Sequence, residues 1–163
     1  MLEFYHVETD YIYYLKEFQK YIWNNNDGKN QRPYIGVIVN ISGHDYFAPL
    51  TSPKAKNSNV RDNLMKIRID HKSDFLGLIN LNNMIPVKNT EVNLIDINIL
   101  EQKYQGLVQT QRIEIRKKQT KIKANAKVLY NKVCNHPDDN EYFVSRCYDF
   151  KLLEQKCDEY SKK

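Results

Sequence analysis

The apolar positions of this chain change period near its middle. Up to about residue 99 they come in short runs of strand length. Leu2–Val7 is one such run and reads as a strand. Thr9 or Asp10 then caps a helix predicted to reach about Trp23, because Tyr11, Leu15, Phe18 and Ile22 fall on one helical stripe. Asn24 to Asn30 end that helix as a polar loop. Tyr34–Ile41 and Tyr46–Ala48 flank Ser42-Gly43-His44-Asp45, a β-hairpin pattern. Leu64, Lys66 and Arg68 alternate with Met65, Ile67 and Ile69, which predicts a half-buried strand with a basic outer face. Phe75–Leu81 and Met84–Val87 form another apolar pair, interrupted by Asn82-Asn83, and Glu91–Ile97 reads as a short strand or a strand-to-helix link.

Beyond about Leu100 the period becomes helical. Ile115, Ile122, Ala126, Leu129 and Val133 share one helical face, and His136-Pro137-Asp138-Asp139 breaks that helix. Phe143, Cys147, Phe150 and Leu153 mark a last amphipathic helix. The expected class is α+β: a small, mostly antiparallel sheet with helices packed around it. A length of 163 residues suits one domain over 1–163, mainly helical and basic from about 100.

The second hairpin strand is expected to stop at Pro49 and deliver Pro49-Leu50-Thr51-Ser52-Pro53-Lys54. Two prolines fix φ on either side of two hydroxyls, and an ammonium follows. A rigid strand end of this kind can bind a phosphodiester, the ammonium meeting its charge and the hydroxyls donating to its oxygens. The same string also fits a Pro-bounded turn with solvated side chains, or a Ser52–Lys54 dyad for acyl transfer. Residues 55–63 are polar and small and are expected to form a mobile loop beside it, carrying Lys56 and Arg61.

Charge sharpens this picture. Lys and Arg number 25 against 20 acidic residues, a net charge of +5, which is a weak pointer to a polyanion. Its distribution says more: Arg112, Arg116, Lys117, Lys118, Lys121, Lys123, Lys127 and Lys132 crowd the long helical stretch, with Glu114 the only acid among them. That stretch is either an RNA-facing surface or an ordinary solvated helix face. Twelve tyrosines add stacking surfaces for bases, though tyrosines also complete cores. None of His6, His44, His71 and His136 is spaced as a metal pair. The chain has no phosphate-binding glycine loop, no nucleophile elbow and no carboxylate cluster for two-metal chemistry. Cys134, Cys147 and Cys157 are an odd set without paired spacing, which points to a reducing, cytoplasmic setting. No apolar run approaches the roughly 20 residues of a membrane span, and the N-terminus lacks a signal-peptide pattern.

Several strings carry a resemblance. Phe4-Tyr5, Tyr11-Ile12, Tyr14-Leu15-Lys16-Glu17-Phe18 and Tyr34-Ile35-Gly36-Val37 come first. They are followed by Gly43-His44, Tyr46-Phe47-Ala48-Pro49-Leu50-Thr51-Ser52-Pro53-Lys54, Leu76-Gly77-Leu78-Ile79-Asn80-Leu81 and Met84-Ile85-Pro86-Val87. Together they resemble the toxins of type III toxin–antitoxin systems, the ToxN/AbiQ endoribonuclease family. The resemblance implies a compact, twisted antiparallel sheet with surrounding helices, distantly similar to MazF/Kid-type toxins. It implies metal-independent cleavage of cellular or phage RNA to 2′,3′-cyclic phosphate and 5′-OH ends, without a cofactor. It also implies inhibition by a cognate small RNA pseudoknot, processed by the toxin from a repeat precursor and assembled with it into a hetero-oligomer. Carried onto this chain, the catalytic string falls on Thr51, Ser52 and Lys54, with Tyr11 as a nearby aromatic. Lys56, Arg61, Arg112, Arg116, Lys117, Lys118, Lys121 and Lys123 are the candidate RNA contacts. The alternative from the same basic surface is a non-catalytic RNA-binding module.

Overall fold

A computed structural model describes residues 1–23 and 32–161. The expected Asn-rich loop at 24–30 lies outside the described residues. Strand β1 (Glu3–Val7) leads into helix α1 (Thr9–Lys16), and β2 (Tyr34–Ile41) and β3 (His44–Thr51) form the hairpin. β4 (Lys66–His71) and β5 (Asp74–Asn80) make a second hairpin, and β6 (Ile85–Pro86) and β7 (Val92–Leu94) are short. Helices α2 (Gln102–Lys117), α3 (Gln119–Cys134), α4 (Glu141–Val144) and α5 (Phe150–Glu159) complete the chain. The strands form one antiparallel sheet in the order β4-β5-β3-β2-β1-β7. β6 shares the outer edge of β3 with β5: Tyr46 and Phe47 pair with β6, Leu50 and Thr51 with β5. The α+β expectation holds.

The first hairpin turns on two residues, not four. Ser42 and Gly43 both have positive φ, the twist-matched geometry of a tight hairpin, and Ile41 already pairs with His44. The strand also runs past Pro49 to Thr51, since Pro49 pairs with Tyr34 and Leu50 N–H donates to Pro33 O at 3.0 Å. α1 is shorter than its stripe implies. The chain tightens after Lys16, where Phe18 N–H donates to Leu15 O at 3.0 Å, and Tyr148 Oη ties the exit by donating to Tyr21 O at 2.7 Å.

The long basic helix is in fact two. Lys118 interrupts it, its ammonium donating to Arg68 O at 2.6 Å across to β4. The break turns α3 so that Ile122, Ala126, Leu129 and Tyr130 reach the sheet core. The last helix is likewise divided into α4 and α5, and the Asp149 side chain caps α5 by accepting from Leu152 N–H at 3.1 Å. Glu154 of α5 is buried, and its Oε1 accepts from both Tyr46 Oη and Tyr130 Oη at 2.6 Å. Burial and that carboxylate raise the Tyr46 phenol far above its ordinary value, so it remains a donor. Sheet and helices share one hydrophobic cluster from Leu2 to Cys157.

Candidate active site

The end of β3 sits where the sheet edge meets the loop after it. Thr51 is its last residue, paired with Leu78. Lys54 N–H then donates to Ser52 O at 2.8 Å, closing a tight turn over Pro53, and Asn57 N–H donates to Lys54 O at 2.9 Å to start a short 3-10 turn over Ala55–Asn57. Ser52 and Lys54 therefore project from a turn closed on both sides. The loop expected to be mobile is held as well. The Arg68 guanidinium donates to Ser58 O and to Val60 O, and Asp62 accepts from Arg68 N–H at 2.6 Å.

Asn80 organises the strand end from beneath. It is 0% exposed, and its amide donates to Thr51 Oγ1 at 2.8 Å, Leu78 O at 3.2 Å and Pro49 O at 3.3 Å. Its Oδ1 accepts from Lys66 Nζ at 3.1 Å. A chain of bonds thus runs from the Lys66 ammonium through Asn80 to the Thr51 hydroxyl. Gly77 allows the close pairing: its φ is +140°, and a methyl there would overlap Thr51 O.

Two clefts meet at Arg32, Ser52 and Lys54. The smaller, about 220 Å³, is lined by Trp23, Arg32, Thr51, Ser52, Lys54, Lys56, Asn57, Lys66, Leu78 and Asn80. Four cationic side chains and two hydroxyls face it, and no carboxylate among the described residues does. Burial lowers the Lys66 ammonium from its ordinary value. Arg32 stacks on Trp23, its guanidinium carbon 4.1 Å from the ring centroid, and its buried Nε has no partner among the described residues. Four cations and two hydroxyl donors around one pocket suit an anion of phosphate type. The larger cleft, about 430 Å³, is mostly apolar.

The structure thus brings Thr51, Ser52, Lys54 and Lys56 together. It adds Arg32, Lys66 and Asn80, which sequence reasoning did not single out; the only hint was the basic outer face predicted for β4. Tyr11 is not with them. It is fully buried, donates from Oη to Pro86 O at 2.6 Å and packs on Tyr160, 4.9 Å between centroids. Its place on the apolar stripe of α1 carries it into the core, away from both clefts. Arg61 is exposed and lines neither cleft.

The basic helical surface is also less open than its sequence. Arg116 pairs with Glu3, and Arg112 lies 3.7 Å from the same carboxylate. Lys117 pairs with Glu114 at 2.8 Å, while Lys118 and Lys121 lie 3.5 and 2.6 Å from Asp62. Acids distant in sequence neutralise much of that charge, and they tie α2 and α3 to β1 and to the loop beside Ser52. Lys123 is half-buried on α3.

A family model described as toxin ToxN, type III toxin–antitoxin system, matches residues 3–158. The chain belongs to the ToxN toxin family. It is 34% identical to endoribonuclease ToxN of Bacillus thuringiensis subsp. kurstaki, over 99% of this chain and 85% of that protein. It is 33% identical to endoribonuclease AbiQ of Lactococcus lactis subsp. lactis, over 99% of this chain and 91% of that protein. A solved structure from work on selective toxin inhibition by a non-coding RNA pseudoknot superposes with a TM-score of 0.87 at 29% identity, covering 99% of both chains. The structure of AbiQ, a lactococcal anti-phage endoribonuclease, gives 0.87 at 28% identity, covering 100% of this chain and 99% of that one. In this ToxN-family fold, among the described residues, no helix is long and apolar enough to cross a membrane, and no three His, Cys, Asp or Glu side chains gather as metal ligands.

Proposed function

We propose that this chain acts, as one domain, as a cytoplasmic endoribonuclease toxin that cleaves RNA by internal transesterification. The observation that carries the reading is the cation-ringed pocket beneath Thr51 and Ser52. RNA brings its own nucleophile. The 2′-oxygen attacks phosphorus, its proton leaves to a base, the bond from phosphorus to the 5′-oxygen breaks, and that oxygen takes up a proton. The products are a 2′,3′-cyclic phosphate and a 5′-OH. What this chain supplies is position and charge. Lys54, Arg32 and Lys66 hold the phosphate and favour the extra negative charge of the pentacovalent state. The Ser52 and Thr51 hydroxyls bind its non-bridging oxygens or pass a proton, and Asn80 orients Thr51. No step draws on a cofactor or metal ion.

The family membership and the likeness to a toxin studied with a pseudoknot inhibitor support a small RNA antitoxin as partner, cut by the toxin from a repetitive precursor and bound in a toxin–RNA oligomer. Its backbone would follow Lys56 and Arg61 from the pocket and the exposed side of α2 and α3, around Lys117, Lys121 and Lys123. Arg112, Arg116 and Lys118 serve first as ties between the helices and the sheet.

The test is to incubate purified protein with mixed RNA in EDTA and analyse the ends formed. Cleavage to cyclic-phosphate and 5′-OH ends is expected. Binding without cleavage would overturn the enzymatic reading in favour of an RNA-binding module.

A further inference from the structure

The loop after Lys54 has no core of its own. None of residues 52–63 is buried, so polar bonds give the loop its shape. Within it, Asn57 N–H donates to Lys54 O at 2.9 Å and Val60 N–H to Asn57 O at 3.1 Å. Ser58 donates to Ala55 O twice, from N–H at 3.1 Å and from Oγ at 2.7 Å. These turns satisfy the loop locally but do not join it to the sheet. Its far end is pinned at Asp62, which accepts from Arg68 N–H and from Lys121 Nζ, both at 2.6 Å. Its middle is gripped by the Arg68 side chain on β4, whose Nη1 donates to Ser58 O and to Val60 O. The guanidinium is itself held elsewhere. Its Nε donates to Asp70 Oδ1 and Oδ2, both at 2.9 Å, and its carbon lies over Phe75, 4.5 Å from the ring centroid. A planar fork fixed by a carboxylate and a ring can hold two carbonyls at once, which a flexible ammonium does not.

Arg68 lines neither cleft, but the segment it grips does. Lys56 and Asn57 face the 220 Å³ pocket together with Lys54, where the loop begins. Asn57 precedes Ser58 and is bonded to Val60, so both gripped carbonyls lie within three residues of it. We propose that Arg68 is the positioning residue of this loop: by holding Ser58 O and Val60 O it sets Lys56 and Asn57 against the RNA phosphate, without touching RNA itself. The proposal rests on the endoribonuclease reading above. It also divides the labour around the pocket. Thr51 is oriented by Asn80, and Ser52 sits in the turn closed by Lys54 N–H, so neither depends on Arg68. Losing Arg68 therefore weakens the grip on the substrate more than it slows the chemical step.

The experiment joins steady-state cleavage of a short RNA with amide hydrogen exchange on Arg68→Ala, Arg68→Lys and Asp70→Asn. Arg68→Ala should raise KM roughly tenfold and change kcat less than about threefold. The Asn57, Ser58 and Val60 amides should exchange at least about tenfold faster, while those of the β2–β3 hairpin keep their native rates, because the loop loosens and the fold does not. Arg68→Lys keeps the charge but lacks the fork, and should behave like Arg68→Ala in both readouts. Asp70→Asn leaves Arg68 in place and removes the carboxylate that holds it; it should move KM and the loop amides the same way by a smaller factor, and it carries the test if Arg68→Ala does not fold. A native KM in Arg68→Lys, or a raised KM with unchanged loop amides, would mean that Arg68 binds RNA directly and would overturn the positioning role. Unchanged KM in the folded variants would overturn it too, with the nuclease left standing. A native protein that cuts no RNA would overturn the nuclease reading and this role with it.

Discussion

Replacing Asn80 by alanine is the sharpest test of how the strand end is held. The change deletes one donor group serving Thr51 Oγ1, Leu78 O and Pro49 O, and one acceptor serving Lys66 Nζ. Asn80 is 0% exposed, so water does not readily replace it. Thr51 and Lys66 face the 220 Å³ pocket, and solvent there recovers part of their loss, leaving about 0.5–1.5 kcal/mol each. The two strand carbonyls lose a buried donor, a cost of about 1–3 kcal/mol for a group left unsatisfied. Counting the two carbonyls, which share one amide group, as a single loss, urea unfolding should show a loss of roughly 2–6 kcal/mol, or a midpoint about 1–3 M lower at an m-value of about 2 kcal/mol/M. Cleavage, measured below that midpoint on folded protein, should fall at least about tenfold, because the Thr51 hydroxyl is no longer oriented. A cycle with Thr51→Val should show coupling above about 0.5 kcal/mol. If Asn80→Ala unfolds within about 0.5 kcal/mol of the native protein and cuts RNA at the native rate, the bond chain from Lys66 to Thr51 does not position the site.

Ser52→Ala should abolish cleavage and toxicity while RNA binding stays within about twofold, since one hydroxyl leaves an exposed turn with little effect on folding; growth arrest by the variant expressed without its RNA would rule Ser52 out. Gly77→Ala should destabilise the protein by about 1–3 kcal/mol and lower activity, because a side chain at φ +140° is strained and pushes Thr51 O away; calorimetry and a cleavage assay check both effects. Lys66→Met should weaken RNA binding and leave the buried Asn80 Oδ1 without its donor. Lys66's folded pKa lies below its unfolded value, so in the native protein the unfolded state binds more protons between those two values and stability rises with pH through that alkaline window; the variant should lose that rise in pH-dependent melts. Gln at Lys117, Lys121 and Lys123 together should flatten the log–log salt dependence of antitoxin binding by roughly 0.7–0.9 per lost phosphate contact and spare short substrates; an unchanged salt slope would remove this face from the RNA surface.

Much of the sheet was readable from local pattern. Period-2 alternation placed Met65, Ile67 and Ile69 inside, and the turn residues Ser42-Gly43 marked the hairpin, because strand facing and turn φ are decided within a few residues. Where the reading overran, a distant partner intervened. The stripe of α1 continues past Lys16 in sequence, but Tyr148 on a far segment fixes the exit at Tyr21. One helical face spanned Lys118, but its ammonium is drawn to Arg68 O on β4, and the helix divides there.

The candidate site divides the same way. The chain itself keeps Thr51, Ser52 and Lys54 together, since a proline-bounded string of four residues cannot separate them. It determined the excess of cations too, but not their use. Arg32, Lys66 and Asn80 join that string only through the fold, which also turns Tyr11 into the core and sets Glu3 and Asp62 against Arg116, Lys118 and Lys121. Spacing along a chain reports which side of an element a residue faces. Which charges end up paired, and which gather around a pocket, depends on strands and helices dozens of residues apart coming within hydrogen-bond reach, and no local period carries that information.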